Sequence, residues 1–268
     1  MTVAKILAQV STIGLLGACV SALAADGDDR FTLRLGAMYT QGSGELYGSG
    51  ELFGEPASFR ESADFGSKEV SPRVDGVFRF SARNRLIFDY FGFKKDLRAT
   101  LPEDVEFEGD TIPAGSAARL QSRFQLASLI YDYSVIDTAD FSAGLEIGVE
   151  YAKIDGSARA DIGDVRYAAS VQRDGFAPVV GLRMTATPGE HWLISAQAQY
   201  LDAGWGNFDY DGNIRRANAI VEYRPADNFG VFGGYDWFDV EYSRSGADAS
   251  GGISLVFKGP IAGVTLAF

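Results

Sequence analysis

The 268-residue chain has one cysteine and one histidine. A single thiol excludes an internal disulfide, and the two residue types together are too few for a Cys/His zinc site. The commonest general base at neutral pH is confined to one position, His191. Positive charge is also scarce. Lys and Arg number 24 against 36 Asp and Glu, a formal net charge of −12, and a chain this acidic repels nucleic-acid backbones. After the first 24 residues there is no apolar run of the roughly 20 residues that a spanning helix needs. Hydrophobic residues nevertheless make up 46% of the chain and the mean hydropathy is −0.02, which excludes both a disordered polar chain and a helical membrane protein.

Glycine is abundant at 32 residues and aromatics reach 13%, a composition suited to strands and turns. Period-two alternation recurs over stretches of roughly ten residues. Phe141, Ala143, Leu145, Ile147, Val149 and Tyr151 interleave with Ser142, Gly144, Glu146, Gly148 and Glu150. A helix would scatter these two sets around its circumference, whereas a strand places them on opposite faces. Phe31, Leu33, Leu35, Ala37 and Tyr39 repeat the pattern, as do Val74, Phe78 and Phe80 opposite Arg73, Asp75 and Arg79. Leu120, Phe124 and Leu126 oppose Arg119, Gln121, Arg123 and Gln125, and similar sets run through residues 180–185, 194–200 and 216–224. The phase slips around Trp237–Phe238 and at Pro260, which predicts bulges or rim positions there.

The first 24 residues have the form of a secretory signal: Lys5, then a mostly apolar stretch, then Ala22-Leu23-Ala24 as a small-x-small cleavage site. Leu16-Gly17-Ala18-Cys19 offers a competing lipobox. The expected organisation is a signal peptide at 1–24 and one domain at 25–268.

Short turns are expected near residues 81–85, 135–140, 187–191 and 225–228, and longer polar loops at 40–69, 96–118, 155–174, 202–212 and 243–252. Four short turns and five long loops join ten strands, with eight or twelve as alternatives, and leave both chain ends on the short-turn side. That asymmetry is the one seen in outer-membrane barrels. Alternation alone does not say which face is outside. Aromatics at the strand ends (Tyr39, Tyr90, Tyr151, Trp192, Tyr200, Tyr223, Tyr235, Trp237) favour the apolar face outward, because their amphipathic rings suit a membrane interface. The predicted fold is an all-β, closed antiparallel transmembrane barrel.

The last ten residues carry Ala262, Val264, Leu266 and Phe268 on one face and end in phenylalanine. Together with the preceding Phe229-Gly-Val-Phe-Gly-Gly-Tyr-Asp-Trp-Phe-Asp-Val-Glu-Tyr242, this closing segment resembles that of small bacterial outer-membrane β-barrel proteins, over residues 30–268. The resemblance implies outer-membrane residence, with Val264, Leu266 and Phe268 as the insertion signal. It also implies contact with outer-membrane lipid and lipopolysaccharide, with periplasmic chaperones and with the barrel-insertion machinery. A closed sheet needs no partner, so a monomer is expected.

With the apolar face in lipid, the lumen receives Arg34, Arg73, Asp75, Arg79, Asp89, Arg119, Arg123, Glu146, Glu150, Arg183, Arg216, Glu222 and Arg224. Two readings are open. Paired charges fill a structural network, since unpaired buried charges are costly; or the arginines line a narrow, hydrated, anion-favouring pore. Catalysis is not expected, because His191 falls in a short turn and Ser43, Ser49 and Ser116 have no base beside them. The first long loop repeats Gly42-Ser-Gly-Glu-Leu-Tyr47 as Gly48-Ser-Gly-Glu-Leu-Phe53, making Tyr47 and Phe53 candidate surface anchors. The acidic run Glu103, Asp104, Glu106, Glu108 and Asp110 lacks the spacing of a calcium loop. No metal or other cofactor is predicted.

Overall fold

The computed structural model describes residues 29–268 except 53–54, 65, 67, 101–104, 108–109, 163–164, 207–210 and 246–248. The expected signal peptide and cleavage site lie outside the described residues. The strands are β1 (Phe31–Leu52), β2 (Glu55–Asp64), β3 (Glu69–Ser81), β4 (Asn84–Thr100), β5 (Val105–Phe107), β6 (Asp110–Ile112), β7 (Ala117–Asp137), β8 (Phe141–Ile162), β9 (Val165–Ala186), β10 (Trp192–Asp202), β11 (Asp211–Ala226), β12 (Phe229–Ser245) and β13 (Ala249–Ala267).

The strands pair antiparallel in the order β3, β4, β7, β8 and on through β13, and β13 closes on β1 from Thr32↔Ala267 to Gly50↔Ala249. β3 pairs the lower part of β1 (Phe31–Thr40) and β2 pairs the upper part (Ser43–Leu52), so the eleven strands of this sheet occupy ten positions around the barrel. β5 and β6 form a separate small hairpin between β4 and β7. Closure satisfies the backbone donors and acceptors that an open edge would leave bare in hydrocarbon. The two ends meet where Phe31 N and Phe268 N each donate to the other residue's carbonyl.

All four expected short turns are present, at 82–83, 138–140, 187–191 and 227–228. Gly189, at φ 105°, supplies a left-handed backbone that a residue with a Cβ adopts only under strain. Register shifts occur at the same rim, between Arg79/Ser81, Ser134/Ile136 and Tyr223/Ala226. By the usual asymmetry this is the periplasmic end.

The predicted long loops prove to be mostly strand. β1 runs on to Leu52, while β8 and β9 stay paired as far as Ile162↔Val165. The Gly-Ser-Gly-Glu repeat therefore belongs to a paired strand through Leu52 and is not a free loop. Glycine and serine favour loops, but here their backbones are paired to β13 and β2. The expected slips at Trp237–Phe238 and Pro260 are likewise absent: β12 and β13 keep unbroken register from Phe229↔Leu266 to Ser245↔Ser250.

Outward residues over the lower part of the strands are apolar and exposed, among them Leu145, Ile147, Val149, Leu182, Met184 and Val231. Aromatics bound this band on both sides. Trp192–Tyr223 (ring centroids 4.9 Å) and Phe31–Phe268 (6.4 Å) lie below it, and Tyr151–Phe176 (4.8 Å) and Tyr200–Trp205 (5.7 Å) lie above. From Phe141 to Tyr151 a strand rising ~3.4 Å per residue and tilted by ~40° climbs about 26 Å, which matches the apolar band of a membrane barrel. Ala262, Val264, Leu266 and Phe268 all face this band.

Above the upper girdle the polarity reverses. The outward positions become Lys94, Asp96, Arg123, Lys153, Arg215 and Lys258, while the inward ones are Phe91, Phe93, Phe124, Leu126, Phe238, Val240 and Phe257. One alternation thus serves two solvents: hydrocarbon outside the lower barrel, water outside the upper. Ile147, 60% exposed at mid-height of the band, tests this placement. Ile147→Arg is expected to lower unfolding free energy in lipid vesicles by about 2–4 kcal/mol. Ser157→Arg, above the girdle, should stay within about 0.5 kcal/mol of wild type. Equal effects at the two sites would contradict the assigned membrane level.

Candidate functional site: the lumen

Inward side chains stack in three tiers. The lowest is a cavity of about 620 Å³ at the short-turn end, with Ala82, Asp137, His191 and Asp227 at its rim and Arg73 and Asp89 deeper inside.

The middle tier is an ion-pair network. Arg34, on β1, reaches Asp75 (3.1 Å) and Glu222 (2.7 Å). Arg73, on β3, reaches Asp89 (2.6 Å) and Asp236 (2.9 Å), and Arg216, on β11, reaches the same two carboxylates at 2.9 and 3.5 Å. Glu222 also accepts from Arg224 (2.5 Å), which in turn bonds Asp29. Across the lumen Arg183 grips Asp132 through two 3.0 Å bonds and donates to Ser134, Ser142 and Thr185. Glu146 accepts from Gln197 (2.8 Å) and Gln199 (2.9 Å), and Glu150 from Ser128 (3.0 Å). Strand alternation directs these groups into one bore, where pairing offsets the desolvation of each charge.

The top tier is aromatic. Phe91 stacks on Phe238 (4.5 Å), Phe124 on Phe257 (5.2 Å), and Phe93 tilts against Phe257 (4.8 Å). Phe91 and Phe238 are both 0% exposed. Met38, Leu126, Leu201, Val240 and Ile261 fill in around the rings. Arg216 lies over the Phe238 ring at 5.0 Å, joining the charged tier to the aromatic one.

Of the lumen residues expected from the sequence, Arg34, Arg73, Asp75, Asp89, Glu146, Glu150, Arg183, Arg216, Glu222 and Arg224 point inward, and Arg79 lines the cavity. Arg119 and Arg123 do not belong with them, as both are exposed. The inner face of β7 carries Phe124, Leu126, Ser128, Ile130, Asp132 and Ser134 instead. Arg123 lies two residues above Gln125, whose side chain bonds Tyr90 Oη in the upper girdle (3.0 Å). At that height the outside is aqueous and an arginine stays solvated. Tyr47 is half-buried on β1, against Gly252, rather than displayed on a loop, and Phe53 lies outside the described residues.

Asp132 and Asp236, which complete the network, were not anticipated. Both were legible as inner-phase positions, Asp132 in step with Ser128 and Ser134, Asp236 in step with Gly230 and Gly234. Arg85 was also missed and projects into the cavity. His191 stands edge-on to Tyr223 (6.0 Å) at the cavity mouth.

No family model matches the chain, and no curated protein matches it in sequence. Among solved structures it is similar to the outer membrane protease OmpT from Escherichia coli, with a TM-score of 0.56 at 12% identity over 92% of this chain and 99% of that one. The translocator domain of the autotransporter NalP from Neisseria meningitidis aligns at a TM-score of 0.45 and 9% identity, over 92% of this chain and 91% of that one. Ail, the attachment invasion locus protein of Yersinia pestis, aligns at 0.28 and 10% identity, over 84% of this chain and 98% of that one. The OmpT likeness covers the whole barrel and concerns the fold alone. A closed ten-position sheet, an outward apolar band between two aromatic girdles and a charged interior together give this chain the fold of an outer-membrane β-barrel.

Proposed function

We infer that the protein is a non-enzymatic, sealed barrel whose role lies in the envelope itself and in what its water-exposed upper strands present to the outside. The aromatic tier carries this reading. A hydrated channel needs a continuous polar path, and here Phe91, Phe124, Phe238 and Phe257 meet across the bore above the ion pairs. The ion pairs beneath are directly bonded at 2.6–3.1 Å in their main contacts, closer than a pore lined by separately solvated charges requires. The position of His191 supports a non-catalytic role, because a cell-surface hydrolase needs its base at the opposite end. Contacts with lipopolysaccharide and outer-membrane lipid, and entry through the insertion machinery by way of Val264, Leu266 and Phe268, belong to the same reading.

Planar-bilayer recording tests it. The refolded protein is expected to insert without unitary conductance steps, while a known porin handled identically conducts. Reproducible steps whose ion preference changes in Arg73→Gln would replace the sealed reading with a narrow channel. Arg123→Gln serves as the control, because its side chain lies outside the bore.

A further inference from the structure

The cavity below the ion-pair network contains a cation that the network does not use. Arg85 projects from β4 and is only 6% exposed. Among the described residues its Nε has no hydrogen-bond partner, and the carboxylate of Asp137 stands 4.0 Å from its Nη2. Every other inward arginine of the middle tier makes at least one short bond to a carboxylate: Arg34, Arg73, Arg183, Arg216 and Arg224. The charges facing Arg85 are Arg183, Arg79, Asp132 and Asp137, two of each sign. Asp132, however, is held in the bidentate grip of Arg183, and Arg183 has its Nη donors on Ser142, Thr185 and Ser134 as well. Neither neighbour is placed to turn toward Arg85 without breaking those bonds.

A buried guanidinium with an unused donor is costly unless something accepts from it. Arg85 lines a cavity of about 620 Å³, a size common among small-molecule pockets. Ser142, whose hydroxyl accepts from Arg183 and keeps its own proton to donate, also lines the cavity. A planar guanidinium is matched by the paired oxygens of a carboxylate or phosphate. The cavity mouth lies inside the ring of short turns, so it opens to solvent at that end and the barrel wall separates it from surrounding lipid. A soluble ligand fits this position better than a phospholipid headgroup.

From these observations we propose that the periplasmic vestibule binds a small soluble oxyanion, a carboxylate or phosphate, with Arg85 as its principal ligand. The site is independent of whether the barrel conducts, since it lies entirely below the aromatic tier.

The experiment uses the refolded full-length barrel in detergent micelles at constant ionic strength. Inorganic phosphate and succinate are titrated separately, with chloride as the background anion. At least one is expected to raise the thermal unfolding midpoint saturably and to shift the Arg85 Nε–H resonance of ¹⁵N-labelled protein along the same binding curve. Arg85→Met should weaken that binding by about 10- to 100-fold, the size expected for loss of a charged hydrogen bond. Arg123→Met, outside the bore, should leave it unchanged. Should Arg85→Met fail to fold, the wild-type resonance titration decides alone. Non-saturating shifts with both anions, or saturable binding that survives Arg85→Met, would overturn the proposal. A saturable response to vesicles of anionic phospholipid, with none to phosphate or succinate, would overturn the soluble ligand and assign the arginine to a headgroup.

Discussion

Arg73→Ala should lower the free energy of unfolding by about 3–5 kcal/mol, the cost typical of removing one partner from a buried ion pair. The reason is the carboxylates left behind. Asp89 and Asp236 both bond Arg73, at 2.6 and 2.9 Å, and both also contact Arg216. After the substitution one guanidinium must serve two buried carboxylates, and one of its contacts is already long at 3.5 Å. Urea titration of the protein refolded into lipid vesicles measures the loss. Adding Asp236→Asn to Arg73→Ala should recover part of it, because the orphaned charge is then removed along with its partner. Arg123→Ala supplies the contrast, with an expected change within about 0.5 kcal/mol, as its side chain is solvated above the girdle. If Arg73→Ala cost no more than Arg123→Ala, the lumen would be hydrated enough to replace the lost partner, and the sealed interior would be untenable.

Those two arginines also mark how far the sequence could be read. From alternation alone they look equivalent, each in a strand where charged and apolar residues take turns. Closure, the four short turns and the outward band were all legible, because lipid requires one face to stay apolar for about ten residues at a stretch. The level at which a strand leaves the bilayer was not. Above that level water is outside, and the same period-two pattern places phenylalanine inward and arginine outward. Alternation therefore places Phe124 and Leu126 in lipid and Arg119 and Arg123 in the lumen, whereas Phe124 and Leu126 are interior and both arginines are exposed. The apparent phase slip at Trp237–Phe238 has the same origin. Trp237 faces outward in the girdle region and Phe238 faces inward into the aromatic tier, so two adjacent large apolar residues occupy one regular strand. A further clue was available in β7 itself. Asp132 shares a face with Phe124, and a carboxylate at membrane depth cannot face hydrocarbon, which sets the phase of the whole strand.

The reversal of polarity predicts that the upper barrel obeys the energetics of a water-soluble core, and Phe238→Ala is where this should be largest. Phe238 is stacked on Phe91 at 4.5 Å and lies beneath the Arg216 guanidinium at 5.0 Å. Truncation removes the ring from a closed interior and leaves a space that the surrounding strands can collapse into only partly, because β12 pairs regularly with β11 and β13 on both sides of Phe238. The expected loss is about 3–5 kcal/mol, the range for a phenylalanine truncated in a packed core. An outward apolar residue within the band behaves differently: at Leu182→Ala lipid chains fill the vacated volume, no cavity forms, and the loss should be smaller than at Phe238. The comparison is made by urea unfolding of both variants in the same vesicles. Phe238→Ala should remain electrically silent in a bilayer, because Phe91, Phe124 and Phe257 still meet across the bore. A loss at Phe238 no greater than at Leu182 would mean that the rings above the girdle do not form a packed interior. The upper strands would then be an open vestibule, and the bore would be sealed, if at all, by its ion pairs.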